Sequence, residues 1–102
     1  MVCLTVKMSM NEDFVRYNRR VRYLTECTLK ENGITVDNRF CYNIDHIFPI
    51  KRGYELGIPE RLIASLDNLQ IMDWKLNRKK GSHITEIPEN ILEFMIEHDV
   101  FV

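Results

Sequence analysis

Apolar side chains near the amino terminus recur at intervals of three and four residues, which places them on one face of a helix. Five residues set this spacing: Phe14, Tyr17, Val21, Leu24 and Thr28. Ser9 and Glu12 have the Ser-x-x-Glu form of a capping box just before them. Gly33 follows as a residue able to adopt the positive φ at which helices commonly end. The pattern predicts a helix over about 11–31.

Two short β-type segments are predicted in the second half of the chain. The stretch from Phe40 to Phe48 is rich in aromatic and β-branched residues and ends before Pro49, which predicts a strand that stops near the proline. A loop should follow, and Pro59 then suits the first turn of a short helix reaching about Ser65. The apolar run at 69–72 predicts a second strand.

Helix signals follow this second strand. Asp73 is a good amino-terminal cap, and Gly81 can end the helix predicted over 74–80. A closing amphipathic helix is predicted over about 88–98. The 102 residues are enough for one core, so residues 1–102 should form a single α+β domain with an amino-terminal and a carboxyl-terminal helix.

Composition narrows the class of protein. With 45% hydrophobic and 28% charged residues, the chain is not of the disordered type. Cys3, Cys27 and Cys41 are scattered without a Cys-x-x-Cys pair, so we expect reduced thiols and no structural zinc. No apolar stretch reaches membrane-spanning length and no leader pattern is present, so we expect a cytoplasmic protein with no membrane partner.

The net charge of −1 hides an uneven distribution. Lys and Arg outnumber Asp and Glu by seven to five in residues 1–44 and again in 45–83, whereas 84–102 carry five acidic residues and no basic one. A basic body predicts attraction to phosphates. Three interpretations stay open for the acidic end: a solvated helix face, a cover over the basic cleft, or a docking site for a partner. The arginines of the first helix are likewise either a solvated face or a phosphate-contacting strip: Arg16, Arg19, Arg20 and Arg22.

The candidate chemistry lies at the end of the first predicted strand. Asp45 and His46 lie towards the end of this strand, and Asn77 lies in the helix that should pack on the hairpin. Carboxylate and amide oxygens are hard ligands that suit Mg²⁺ or Mn²⁺ better than zinc. His46 is then free to remove a proton, because the unperturbed pKa of histidine near 6.5 leaves a neutral fraction at working pH.

These residues at these spacings resemble the HNH nuclease motif. The resemblance covers about residues 40–83 and rests on Asp45-His46-Ile47, Pro49, Gly53, Asn68-Leu69-Gln70, Asn77 and Lys80-Gly81. It implies a ββα-metal core, also called a His-Me finger, in which two strands are followed by a helix across them. It also implies that His46 is the general base, that Asp45 and Asn77 bind one divalent ion, and that Asn68 braces the loop and orients the histidine.

The form with Asn at the third position is that of the HNH domains of RNA-guided DNA endonucleases, and it favours magnesium or manganese. Basic residues near the motif are candidate DNA contacts: Lys51, Arg52, Lys75, Arg78, Lys79 and Lys80. His83 is either an added ligand or phosphate donor, or an exposed histidine. Trp74 is expected in the core, with base stacking as the alternative.

The leading expectation is a divalent-metal-dependent DNA endonuclease that nicks or cuts both strands. The alternatives are a catalytically silent DNA-binding module on the same fold and a structural or interaction domain. DNA is the expected partner. A partner protein that supplies targeting and a homodimer are further expectations, because cutting both strands with a single site requires two turnovers or a dimer. The resemblance extends to small phage and mobile-element proteins such as homing endonucleases, and for a phage protein the compartment would be the host cytoplasm.

Overall fold

The computed structural model describes residues 2–36 and 42–102, with side chains described from residue 12 onward. The described residues form five helices and one two-stranded antiparallel sheet, so the α+β class is confirmed. A 3-10 turn at Leu66–Asn68 precedes the second strand. The elements in chain order are α1 Val2–Glu31, β1 Tyr42–His46, α2 Ile50–Leu56, α3 Glu60–Ile63, β2 Leu69–Asp73, α4 Trp74–Lys80 and α5 Glu89–Glu97.

Helix α1 begins nine residues earlier than predicted. Its backbone is helical from Val2, so the capping-box interpretation of Ser9 is wrong: this residue lies inside the helix. No Gly or Pro interrupts the preceding residues, and nothing local stops the helix from extending. The predicted end is confirmed, because Gly33 has φ 63° and the Ile34 amide donates to the Leu29 carbonyl at 2.9 Å.

Helix α2 occupies part of the segment predicted as a loop, so that prediction is wrong. Gly53, which lies in the predicted loop, is buried within the helix. A Cβ at Gly53 would lie 2.7 Å from Ile63 Cδ1 and 2.8 Å from the Tyr17 hydroxyl. The glycine therefore permits α2 to approach α3 and α1 closely, which is a tertiary requirement that local sequence does not reveal.

The hairpin and α4 form close to the predicted bounds. Residues 40 and 41 of the first predicted strand lie outside the described residues. Asp45 pairs with Gln70 and His46 with Leu69 in the antiparallel register. The Asp73 carboxylate accepts from the Lys75 amide at 2.8 Å, which confirms the predicted cap, and α4 contacts both strands.

The hydrophobic core lies between α1, α3 and α5. Its fully or almost fully buried side chains are Val21, Phe48, Ile58, Ile63, Ala64, Ile91 and Met95. Helix α5 begins one residue later and ends one earlier than predicted. The Tyr17 hydroxyl donates to the Ile58 carbonyl at 2.6 Å, and that of Thr28 to the Ala64 carbonyl at 2.9 Å. These bonds and the core fix α1 beside the end of β1.

Among the described residues, no helix combines the length and the apolarity needed to cross a membrane.

Candidate functional site

A cleft of about 730 Å³ lies at the end of β1, with α1 on one wall and α4 on the other. Helix α1 contributes Arg22 and Thr25 among others, and the end of α4 contributes Asn77 and Lys80. The amino-terminal end of α2 adds Lys51. The cationic side chains lining the cleft outnumber the carboxylates, which are Glu26 and Asp45, so the local field suits a phosphate.

Strand geometry separates the two central groups of this cleft. Asp45 and His46 are successive residues of β1, and successive side chains of a strand point to opposite faces. Asp45 contacts Lys80 at the end of α4, and His46 contacts Thr25 of α1. One strand end thus delivers a carboxylate to one wall of the cleft and an imidazole to the other.

Asp45 is only 5% exposed and is held by two donors. The amide of Gln70, its cross-strand partner, donates to Oδ2 at 2.8 Å. Lys80 Nζ lies 3.3 Å from Oδ1 and also donates to the His46 carbonyl at 2.9 Å. The Lys80 side chain is 6% exposed, so this is a buried ion pair in which each charge depends on the other.

His46 is held from the side of α1. Its Nε2 lies 2.9 Å from the Thr25 hydroxyl oxygen, which in turn lies 2.7 Å from the Val21 carbonyl oxygen. Burial lowers the pKa of His46 to about 4; the neighbouring Asp45 carboxylate raises this pKa, whereas Arg22 and Lys80 lower it further. The imidazole is therefore neutral at pH 7, the form that accepts a proton.

Asn68 is fully buried and is not among the residues that line the cleft. Its side-chain oxygen accepts from the Phe48 amide at 2.7 Å, and its side-chain nitrogen donates to the carbonyls of Phe48 at 3.1 Å and Ile63 at 2.8 Å. The Asn68 carbonyl also accepts from the Ile47 amide at 2.8 Å. The residue therefore ties the loop after His46 to α3.

Asn77 has the opposite surroundings. It is half-buried, it lines the cleft from the middle of α4, and its side-chain amide makes no hydrogen bond with any residue of 12–36 or 42–102. It lies one turn before Lys80, so both side chains project from the same side of the helix. The amide oxygen of Asn77 is therefore available to a ligand.

The oxygens of Asp45 and Asn77 are of the kind that could hold a hard divalent ion. Asp45 and Asn77 offer a carboxylate and an amide oxygen in one cleft, and Mg²⁺ is commonly bound by one or two protein oxygens with waters and substrate phosphate completing its shell. The described residues contain no group of three His, Cys, Asp or Glu able to hold a metal ion, so these two oxygens would need such additional ligands. An ion bound to Asp45 would also have to displace the Lys80 ammonium from the carboxylate or share the carboxylate with it.

The other basic candidates are divided between the cleft and its surroundings. Lys51 lines the cleft, whereas Arg52 pairs with Glu55 at 2.8 Å outside it. Lys79 is exposed on α4 and is not a lining residue. The Nδ1 of His83 lies 3.0 Å from the Lys80 carbonyl oxygen, and His83 is likewise exposed outside the lining.

Trp74 is half-buried and lies outside the core cluster. Lys75 Nζ lies 5.9 Å and the Arg78 guanidinium carbon 5.8 Å from its ring centroid, distances at which a cation is attracted to the ring face. The core interpretation of Trp74 is therefore wrong, and the two cations are gathered around the ring rather than in the cleft.

Three residues of the site were not singled out individually by the sequence. Gln70 belongs to the Asn-Leu-Gln element of the motif. The signal that could have identified its role is the predicted second strand, which should supply a cross-strand partner for Asp45. Arg22 was grouped with the other arginines of α1, and its place in the cleft depends on how α1 docks. Thr25 carried no signal, because its contact with His46 joins residues 21 positions apart.

Comparison of the chain with protein-family models, curated proteins and solved structures gives no match.

Proposed function

We propose that this chain is a divalent-metal-dependent DNA endonuclease of the HNH type, with the hairpin and α4 as a ββα-metal core. The observation that carries the proposal is the end of β1, where Asp45 and a neutral His46 share a cleft with the unengaged amide of Asn77. Oxygen ligands for a hard ion, a proton acceptor and surrounding cations are the groups that phosphodiester hydrolysis requires. The resemblance to the HNH motif supports the same assignment.

In the proposed site Asp45 and Asn77 hold Mg²⁺ or Mn²⁺. When bound, the ion would supply Lewis-acid stabilisation of the negative charge that develops on the phosphate. His46 accepts a proton from a water molecule, whose oxygen forms a bond to phosphorus as the bond from phosphorus to the 3′ oxygen breaks. The resemblance gives a 5′-phosphate and a 3′-hydroxyl as products.

The remaining residues of the site hold the polymer and the loop. Arg22 and Lys51 line the cleft and would contact the phosphates that flank the scissile bond. Asn68 keeps the loop after His46 in place through its bonds to Phe48 and Ile63. Lys80 keeps the Asp45 carboxylate neutralised while no metal is bound.

One observation favours the alternative of a catalytically silent DNA-binding module. The Asp45 carboxylate is already paired with Lys80 and Gln70, so the hairpin is electrostatically satisfied without a metal. Such a module would bind DNA through the basic residues around the cleft, and its affinity would fall steeply as salt rises.

Incubation with supercoiled plasmid separates these functions. We expect nicked circles in the presence of Mg²⁺ or Mn²⁺ and none in EDTA, because a single site in a monomer cuts one strand at a time. Replacement of the base, His46→Ala, should slow nicking by about 10²- to 10⁴-fold. The matched control is His98→Ala. This histidine is exposed, stacks on Phe94 and is not among the cleft-lining residues, so the variant should nick DNA at the wild-type rate.

Plasmid that stays intact with both metals would contradict the nuclease proposal, and salt-sensitive binding without nicking would establish the silent module. Equal nicking by wild type and His46→Ala would show that a contaminating nuclease or another residue does the chemistry.

A further inference from the structure

We propose that Thr25 of α1 is a positioning residue for His46: it engages Nε2, so that Nδ1 is the ring nitrogen left to act as the base. The inference rests on the proposed nuclease function for its catalytic consequence. The hydrogen-bond arrangement itself stands on the geometry of α1 and β1. Thr25 lies outside the 40–83 segment that resembles the HNH motif.

The hydroxyl group of Thr25 carries a single proton. A threonine hydroxyl has one proton to donate and lone pairs to accept with. Thr25 Oγ1 lies 2.7 Å from the Val21 carbonyl oxygen, which can only accept. Two oxygens at this distance repel each other unless a proton lies between them, so the proton of Thr25 is directed to Val21.

The contact with His46 then has a fixed direction. Thr25 Oγ1 has no second proton, yet it lies 2.9 Å from His46 Nε2. The ring nitrogen must therefore be the donor, and His46 carries its proton on Nε2. In a neutral imidazole the other nitrogen is then an unprotonated acceptor, and no described residue donates a hydrogen bond to Nδ1.

The position of Thr25 is well fixed. It is 6% exposed, and Val21, one turn earlier on α1, is completely buried in the core. One turn later, Thr28 donates to the Ala64 carbonyl at 2.9 Å. The segment of α1 that carries Thr25 is thus held by the core at Val21 and by the end of α3 at Thr28, which fixes where the acceptor for His46 lies.

This arrangement has a consequence for proton transfer. When water gives its proton to Nδ1, the ring becomes an imidazolium that still donates Nε2–H to Thr25. Hydrogen bonds from a charged donor are stronger than those from a neutral one, so Thr25 stabilises the protonated product of the transfer as well as the ring orientation. The proton lost by water is held on Nδ1 until the leaving 3′ oxygen or solvent takes it.

The tautomer is measurable without metal or DNA. In metal-free protein labelled with ¹⁵N-histidine at pH 7.5, His46 should show an unprotonated Nδ1 and a solvent-protected proton on Nε2, assigned by its loss in His46→Gln. Thr25→Ser keeps the hydroxyl and should keep this signal. Thr25→Val preserves the shape of the side chain but removes the acceptor, and the protected Nε2–H signal should disappear.

Cleavage kinetics give the second readout. Thr25→Val should lower kcat for plasmid nicking by about 10- to 100-fold, by analogy with the loss of a hydrogen-bond partner from a metal-ligating histidine. KM should change little, because Thr25 is 6% exposed and its hydroxyl is engaged by Val21 and His46. Thr25→Ser should recover most of kcat.

A wild-type His46 with its proton on Nδ1 would overturn the proposal. So would a Thr25→Val protein that keeps both the protected Nε2–H signal and the wild-type kcat. A wild-type protein that shows the Nε2–H proton yet cuts no DNA would contradict the nuclease function and leave the tautomer assignment standing.

Discussion

Asn68 and Asn77 lie nine residues apart, and the fold gives them opposite surroundings. The loop brace is the region around Asn68, where one side chain bonds the backbones of Phe48 and Ile63 and has no exposed surface. In the cleft, Asn77 is half-buried and its amide bonds to none of the described residues. The same side chain thus serves as an internal scaffold in one region and as an available ligand in the other.

The comparison teaches that the two asparagines divide stability and proposed chemistry between them. A group whose hydrogen bonds are all satisfied inside the fold contributes to stability and has nothing left for a substrate. A polar group in a cleft without a partner contributes little to stability. Substitutions in the two regions should therefore separate the two properties.

The largest effect is expected at the loop brace. Asn68→Ala leaves three buried backbone groups without their partners, which should lower the free energy of unfolding by about 4 kcal/mol. Urea unfolding in EDTA measures this. The control is Asn32→Ala, which removes an exposed amide that donates to the Thr28 carbonyl and should change stability by less than about 0.5 kcal/mol. A loss below about 1 kcal/mol for Asn68→Ala would show that water replaces these bonds, contrary to a brace.

The elements that the sequence predicted correctly are those with local signals. Gly33 ends α1 through its own positive φ, and Asp73 caps α4 by accepting from an amide two residues on. Burial of Val21 on the predicted face of α1 follows from helical spacing alone. Each of these features is decided within about one helical turn, so a single segment of sequence suffices to predict it.

The features that could not be predicted depend on distant contacts. Helix α2 was not predicted, because glycine in the sequence favoured a loop. The reason for Gly53 is the close approach of Ile63 and Tyr17, which only tertiary packing brings to this position. The sequence placed Asp45 and His46 at the end of β1. The partner of each in the fold lies far away along the chain: Lys80 is 35 positions from Asp45, and Thr25 is 21 from His46. No periodicity encodes such pairs.

The next largest effect on stability is expected at Lys80, whose ammonium group pairs with Asp45 in the metal-free cleft. Lys80→Met leaves the Asp45 carboxylate buried without its counter-charge, which should cost about 3 kcal/mol of stability in EDTA. Removal of the competing ammonium should also raise the affinity for Mg²⁺ about tenfold, so Mg²⁺ should restore more stability to this variant than to wild type. Thermal unfolding with and without Mg²⁺ measures both effects.

Lys79→Met is the matched control for Lys80→Met. It removes the same charge from the adjacent, exposed position of α4, and it should leave metal-free stability and the response to Mg²⁺ close to wild type. If Mg²⁺ stabilised Lys80→Met no more than wild type, the ion would not bind at Asp45 in competition with Lys80.

A smaller, pH-dependent effect is expected at His46. Its pKa is about 4 in the folded protein and near 6.5 in the unfolded chain, so between these values the unfolded state binds the additional proton. Stability from this group is therefore complete above pH 6.5 and is lost as the pH falls towards 4, by at most about 3 kcal/mol. Urea unfolding in EDTA across this range should show less pH dependence in His46→Gln. Parallel curves for the two proteins would show that the folded state does not favour neutral His46.

The smallest effect on stability, about 0.5 kcal/mol or less, is expected for Asn77→Ala. The same substitution should weaken Mg²⁺ or Mn²⁺ binding about tenfold or more by calorimetry, because it removes one of the two protein oxygens proposed to hold the ion. Asn77→Asp keeps an oxygen at this position and adds a negative charge, so it should bind the ion at least as tightly as wild type. Unchanged metal affinity in Asn77→Ala would show that Asn77 is not a metal ligand. The two asparagines would then differ only in burial and hydrogen bonding, and not in a proposed function.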